Sequence, residues 1–182
     1  SRVSSPRSSV LWDARNVPFP ADRPRRLRRT DALRSLVRET DVLPRHLIAP
    51  LFIKEGVTDP EPIASMPGQF QHTLESLVKE AREIASRGVL AFLLFGIPDA
   101  KDAVGSQAYA PDGISQQGLR ALRDEFGSDV VLIGDLCLCE YTDHGHCGVL
   151  EAGSVRNDAT LELYASTAIA QAEAGVDIVA PS

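Results

Sequence analysis

The chain has 182 residues, 43% of them hydrophobic and 24% charged, enough for one domain with a buried core. Mean hydropathy is −0.08, and no apolar run approaches the roughly 18–20 residues of a membrane-spanning helix, so such a helix is excluded. The net charge of −6 conceals an asymmetry: residues 1–45 carry 11 arginines against 5 acidic residues, and the remainder carries 8 basic against 20 acidic. No aromatic and basic interleaving or finger motif accompanies the basic segment, so no nucleic-acid partner is expected. Pro18, Pro20 and Pro24 break it, which argues against a helix lying on a membrane. What remains is an arm that docks on an acidic surface, a second copy of the chain included, or a solvated tail. The first ten residues lack an apolar stretch and do not form a secretory signal. The chain has three cysteines, an odd number, which fits a reducing, cytoplasmic setting better than a disulfide framework.

In chain order, residues 1–29 are rich in Arg, Pro and Ser and read as an extended arm. Thr30 can cap a short helix over 31–39, with Asp31 in its first turn and Arg38 near its end. Residues 1–45 are therefore set apart from a body over 46–182. The body alternates. An apolar strand over 47–53 precedes a helix capped by Thr73, with Leu74, Leu77, Val78, Ala81 and Ala85 on one face and Gly88 at its end. A strand over 90–95 precedes a helix from Ser115 that carries Leu119, Leu122 and Phe126 and stops at Gly127. A strand over 130–136 precedes a longer helix from Asn157 or Asp158 to Gly175, and a fourth strand covers 176–180. The strands are continuous apolar runs, the pattern of a parallel sheet covered by helices. Four strands with three crossovers suit an open doubly wound sheet or part of a (β/α)₈ barrel, with strands one and four as open edges. A nucleotide-binding sheet is disfavoured, because no glycine-rich phosphate loop is present.

The chemistry concentrates after the third strand, in Asp135-Leu136-Cys137-Leu138-Cys139-Glu140-Tyr141-Thr142-Asp143-His144-Gly145-His146-Cys147-Gly148. Strand alternation predicts Asp135, Cys137 and Cys139 on one face at the C-terminal end, where active sites of parallel α/β folds form. Gly145 and Gly148 let the following loop fold Cys147 back to them. Three thiols suit zinc, which takes thiolate and imidazole in a tetrahedral shell, and three protein ligands leave a fourth position open. The alternative is that the cysteines are small apolar residues. His144 and His146 can be ligands, outer hydrogen-bond partners or surface residues, with at least one favoured as an outer partner.

This segment resembles the zinc signature of the porphobilinogen synthase (5-aminolevulinate dehydratase) family. The resemblance runs from Arg25 to Ser182. It takes in Arg25-Arg26-Leu27-Arg28-Arg29, Leu47-Ile48-Ala49-Pro50-Leu51-Phe52-Ile53, Ile63-Ala64-Ser65-Met66-Pro67-Gly68, Lys101-Asp102, Pro111-Asp112-Gly113 and Val179-Ala180-Pro181-Ser182. It implies that 46–182 is the first half of a (β/α)₈ barrel, that the basic arm embraces another subunit of a homo-oligomer, commonly an octamer, and that the chain is a fragment. The implied reaction condenses two molecules of 5-aminolevulinate to porphobilinogen, with loss of two waters, on the route to haem and other tetrapyrroles. Cys137, Cys139 and Cys147 match the family's zinc ligands, Asp135 an active-site aspartate, and Ser182 a serine at the barrel mouth. Magnesium is left open as a further ion. Asp143 departs from the usual Ser or Thr before His-Gly. None of the three lysines matches the family's two Schiff-base lysines: Lys54 and Lys79 read as solvated, and Lys101 as lining the site mouth at most. By itself the chain is then expected to be inactive. The competing class is a non-catalytic zinc-binding or assembly protein that uses the same thiols.

Overall fold

The computed structural model describes residues 23–182, in two units that divide between Asp41 and Val42. The part of the predicted arm before residue 23 lies outside the described residues. In the first unit, Pro24–Arg28 is a turn of 3₁₀ helix where the sequence pattern predicts extended chain. Helix α1 (Asp31–Leu36) starts as predicted, with Thr30 Oγ1 accepting the Leu33 N–H at 3.2 Å. It ends at Leu36 rather than at residue 39. Val37, β-branched, leaves helical geometry at φ −104°, ψ 13°, and no residue of α1 is buried, so no packing sustains another turn.

In the second unit the predicted alternation is present. Strand β1 (Ile48–Lys54) leads to two short strands, β2 (Glu61–Pro62) and β3 (Phe70–His72). Helix α2 (Leu74–Ser86) follows, then β4 (Ala91–Ile97), α3 (Ile114–Phe126) and β5 (Val131–Leu136). A small hairpin, β6 (Leu150–Glu151) with β7 (Ser154–Val155), precedes α4 (Asn157–Glu173) and β8 (Ile178–Pro181). The main sheet has the order β2-β3-β1-β4-β5-β8, parallel throughout except for β2 against β3. Strand β1 is therefore not an edge, contrary to the sequence expectation. Phe52 and Ile53 pair with Gln71 and His72, so the β2–β3 excursion shields the C-terminal half of β1. Three-residue strands with little apolar periodicity leave no pattern to read in advance. At the other side, β8 is an open edge among the described residues.

Helices cover one face of the sheet. Leu51, Ile53, Phe92, Leu94 and Leu132 point into them and meet Leu77, Ala81, Leu119 and Leu122, all nearly or fully buried. On the opposite face Phe52 and Phe95 stack at 5.0 Å but are only half-buried, so the continuous apolar runs are enclosed on one side alone among the described residues. Apolar side chains also lie exposed beside the open edge, Leu161 and Ile169 on α4 and Ile178 on β8. No helix of the described residues is long and apolar enough to cross a membrane.

Two devices set the helix positions. Gly118 of α3 lies so close to the sheet that a Cβ there would be 2.9 Å from Leu94 Cδ2 and 3.1 Å from Ile53 Cδ1. Asp177, just before β8, accepts the Leu132 N–H at 2.8 Å and an Arg123 N–H at 2.7 Å, while Arg123 also donates to Gly175 O at 2.7 Å. Burial pushes the Asp177 carboxyl up, but these donors outweigh it and hold it below the ordinary range. Gly118→Val is expected to overpack this contact and cost about 1–3 kcal/mol, read as a lower urea midpoint. An unchanged midpoint would show that α3 can retreat freely.

Candidate active site

Strand β5 ends at Leu136, before the cysteines, so the predicted pleat does not align Cys139 with Asp135. Asp135 lies in β5 itself. Cys137 follows directly and is buried, and Cys139 is delivered by a turn in which Leu138 O accepts the N–H groups of Tyr141 and Thr142, each at 2.9 Å. Leu138, fully buried against Ala108 and Tyr141, anchors that turn between the two thiols. The predicted return of Cys147 is present: the three Sγ atoms all lie within 4.8 Å of one another, with Cys137 and Cys139 3.2 Å apart. Gly145 adopts φ +71° in the returning loop, a conformation that side chains disfavour. Gly148 has a different reason, since a Cβ there would fall 2.5 Å from Thr160 Oγ1 on α4.

Neither histidine joins the thiols. His144 uses both ring nitrogens: Nε2 is 3.2 Å from Ala103 O, and Nδ1 accepts the His146 N–H at 3.1 Å. That pattern requires the neutral tautomer with the proton on Nε2. It makes His144 an outer strut of the loop, and the His146 ring lies beside it, tilted by 37° with centroids 5.6 Å apart.

The loop after β4 holds the thiol segment from one side. The Asp102 N–H donates to Tyr141 O at 3.3 Å, and Asp102 O accepts the Asp143 N–H at 3.0 Å. The Asp102 carboxylate accepts the N–H groups of Val104 and Ser106 at 3.0 and 3.1 Å, and the Ser106 hydroxyl. Those donors, Ser106 foremost, hold its carboxyl below the ordinary value of 3.8. On the other side, Gln171 of α4 donates to Asp135 O at 2.6 Å, in the space that Gly134 leaves by having no side chain. The Tyr141 hydroxyl fits against Gly96 on the same principle. Gln171, Tyr164, Thr160 and the Asp102 clamp were not legible as site residues. Their hydroxyl and amide targets are set by packing between elements far apart in the chain.

The electrostatics separate the thiols. Burial pushes Cys137 up, but the Cys139 backbone, the Ser182 side chain and the other two thiols outweigh it and bring Cys137 below its ordinary value. Cys139 is pushed up by burial and by Glu140, whose carboxylate is 3.1 Å from its sulfur. Cys147 is pushed up by its bond to Cys137 and by burial. Cys137 is thus shifted toward the thiolate and the other two away from it, and a bound cation would favour the thiolate at all three. Tetrahedral zinc with Zn–S near 2.3 Å places sulfurs about 3.8 Å apart, so this donor set could hold such an ion. Burial, then Glu140, raises the Asp135 carboxyl to about 6. Ser182 joins the site through its N–H, which donates to Leu136 O at 3.2 Å, and its side chain is in reach of the Cys137 thiol.

A parallel β/α sheet with a three-thiol cluster at the C-terminal ends of its strands defines a barrel-type chain with a cluster able to hold a metal ion. Comparison with known proteins narrows this. The delta-aminolevulinic acid dehydratase family model matches residues 21–182. Relatives named delta-aminolevulinic acid dehydratase include those of Streptomyces coelicolor, 52% identical over 90% of this chain and 51% of the relative, and Mycobacterium tuberculosis, 50% identical over the same shares. A crystal structure of the Toxoplasma gondii enzyme in complex with the reaction product porphobilinogen superposes with TM-score 0.84 at 41% identity, over 88% of this chain and 46% of that one. The chain belongs to the delta-aminolevulinic acid dehydratase family, and its sheet corresponds to half a barrel. It spans about half the length of the curated relatives it matches.

Asp102→Asn keeps an acceptor but loses the charge. Because the folded carboxyl is held low, its stabilisation is present above about pH 3.8 and is lost as pH falls through the folded value. The melting temperature of the Asn variant is expected to lie below that of the unsubstituted protein at neutral pH, and the gap is expected to close only as pH falls below 3.8 and through the folded value. A gap independent of pH would remove the charge from the explanation.

Proposed function

We propose that this chain is the thiol-bearing half of a porphobilinogen synthase, with zinc as its ion. The reaction joins two molecules of 5-aminolevulinate into porphobilinogen and releases two waters. The observation that carries the proposal is the convergence of Cys137, Cys139 and Cys147 within 4.8 Å at the C-terminal end of the parallel sheet, with Asp135 and Ser182 adjoining. Cys137, Cys139 and Cys147 would hold the zinc, which when bound supplies a Lewis acid and an open position for substrate oxygen. Asp135, raised to about 6, can hold or release a proton near neutral pH at the strand end. Ser182 offers a hydroxyl to polar substrate groups at the same mouth. His144 and Asp102 keep the loops in register and leave the open side of the cluster to the substrate.

The lysines fit a division of labour. Lys54 is half-buried and pairs with Glu61 at 2.6 Å in an exposed contact, and Lys79 and Lys101 are exposed. None is desolvated as a Schiff-base lysine must be. We assign that chemistry to the half of the relatives that this chain does not match, docked on the open β8 edge and on the apolar residues Leu161, Ile169 and Ile178. The basic first unit, with α1 entirely unburied and Leu36 80% exposed, suits an arm that wraps another copy in a homo-oligomer. An odd number of cysteines gathered in one cluster suits a reducing, cytoplasmic setting.

Zinc affinity, measured by competition with a chromophoric chelator, is expected to fall at least about 10-fold in Cys137→Ala, since a first ligand matters no less than an outer partner. Identical affinities would remove the zinc reading. This chain alone is expected to form no porphobilinogen from 5-aminolevulinate. Joined in frame to the unmatched half of the Streptomyces coelicolor relative, it is expected to gain an activity that Cys137→Ala abolishes. Turnover by the 182 residues alone would overturn the assignment of the lysines.

A further inference from the structure

Cys147 is the one thiol of the three that is exposed and lies in a loop remote from β5. Its place beside the other two sulfurs is set by whatever holds its loop. The restraints on its loop fall on two sides. Upstream, the Thr142 hydroxyl donates to His146 O at 2.9 Å. Downstream, Thr160 Oγ1 accepts the Val149 N–H at 3.1 Å, and the Arg156 N–H donates to Val149 O at 2.8 Å. At Cys147 itself, the Tyr164 hydroxyl donates to the carbonyl oxygen at 3.0 Å. Thr160 and Tyr164 are four residues apart, so one stripe of α4 grips consecutive parts of the loop. Gly148 permits the approach, since any side chain there would strike Thr160.

The Tyr164 hydroxyl is also 3.3 Å from Ser182 O. A phenol has one proton, so it bonds one carbonyl at a time, and the shorter contact is to Cys147. The ring packs on the Ala108, Leu138 and Tyr141 cluster, and Leu138 is the residue between the other two thiols. The hydroxyl is thus referenced to the same turn that places Cys137 and Cys139.

We propose that Tyr164 is a positioning residue for the thiol cluster: its hydroxyl, seated by ring packing on the cluster of Ala108, Leu138 and Tyr141, fastens the Cys147 carbonyl and sets the distance of the third sulfur from the other two. As a statement about metal binding, this rests on the zinc reading above. As a statement about sulfur placement it does not, and the experiment separates them. Tyr164→Phe removes the hydroxyl and keeps the ring. In the full chain carrying Cys137→Ala, dibromobimane, which fluoresces once both its arms are captured by thiols, bridges Cys139 to Cys147 without any metal. Bridging is expected to slow several-fold when Tyr164→Phe is added. In chains with all three cysteines, cobalt(II) is expected to bind roughly 10-fold more weakly to Tyr164→Phe, the low end for loss of an outer partner. Its thiolate-to-cobalt absorption is expected to move toward that of Cys147→Ala, a change that general destabilisation would not produce.

Equal bridging rates together with an unaltered three-thiolate spectrum would overturn the role of Tyr164, whatever the melting temperatures. If the unsubstituted chain gave no thiolate-to-cobalt band, the metal reading would fall, and the bridging rates alone would still decide the placement.

Discussion

Three sulfurs within 4.8 Å of one another are an electrostatic problem before they are a site. Each thiolate formed makes the next harder to form, and burial and Glu140 add to the rise of Cys139. Hydrogen bonds between the thiols, such as Cys137 to Cys139 at 3.2 Å, do not by themselves fix where the three thiols meet. The protein holds the cluster through the backbone. The loop after β4 pairs with the thiol segment at Asp102, Tyr141 and Asp143, and α4 grips the far side through Thr160 and Tyr164. The thiols themselves contribute little to that scaffold, so they remain available to a ligand.

The scaffold in turn depends on how closely helices approach the sheet. Gly118 lets α3 settle onto Leu94 and Ile53, Gly134 admits the Gln171 amide to the Asp135 carbonyl, and Gly96 admits the Tyr141 hydroxyl. In each case an absent side chain creates the room for a contact that locates the end of a strand. The Asp177 latch adds a polar counterpart at the opposite end of β5, tying Leu132 to Arg123 of α3. Strand β5 is thus restrained at both ends, and the segment that follows it begins from a defined place.

The half-barrel also accounts for features that a self-contained domain would not carry. Among the described residues one face of the sheet is half-covered, β8 has no outer partner, and α4 is apolar on more than one side. An edge strand with unpaired backbone groups beside exposed apolar side chains invites further pairing. The Toxoplasma gondii structure superposes on this chain over only 46% of its own length.

Most of the architecture was legible because periodicity and caps are local. Thr73, Gly88, Gly127 and Gly175 punctuate the helices where the structure ends them, and the four apolar runs are the four long parallel strands. The thiol cluster was legible too, since spacing and residue type together carry its chemistry. The β2–β3 excursion was not, because strands of two and three residues leave no periodic signal. Nor was the route by which Cys139 arrives, a turn anchored by Leu138 rather than the strand pleat. By itself, the sequence determined which groups can do chemistry and which segments are helix or strand, for these follow from side-chain type and near-neighbour spacing. Only the tertiary structure decided which hydroxyls and amides hold the loops, because Asp102, Thr160, Tyr164 and Gln171 act on partners 11 to 41 residues away, and such distances close only when the elements pack.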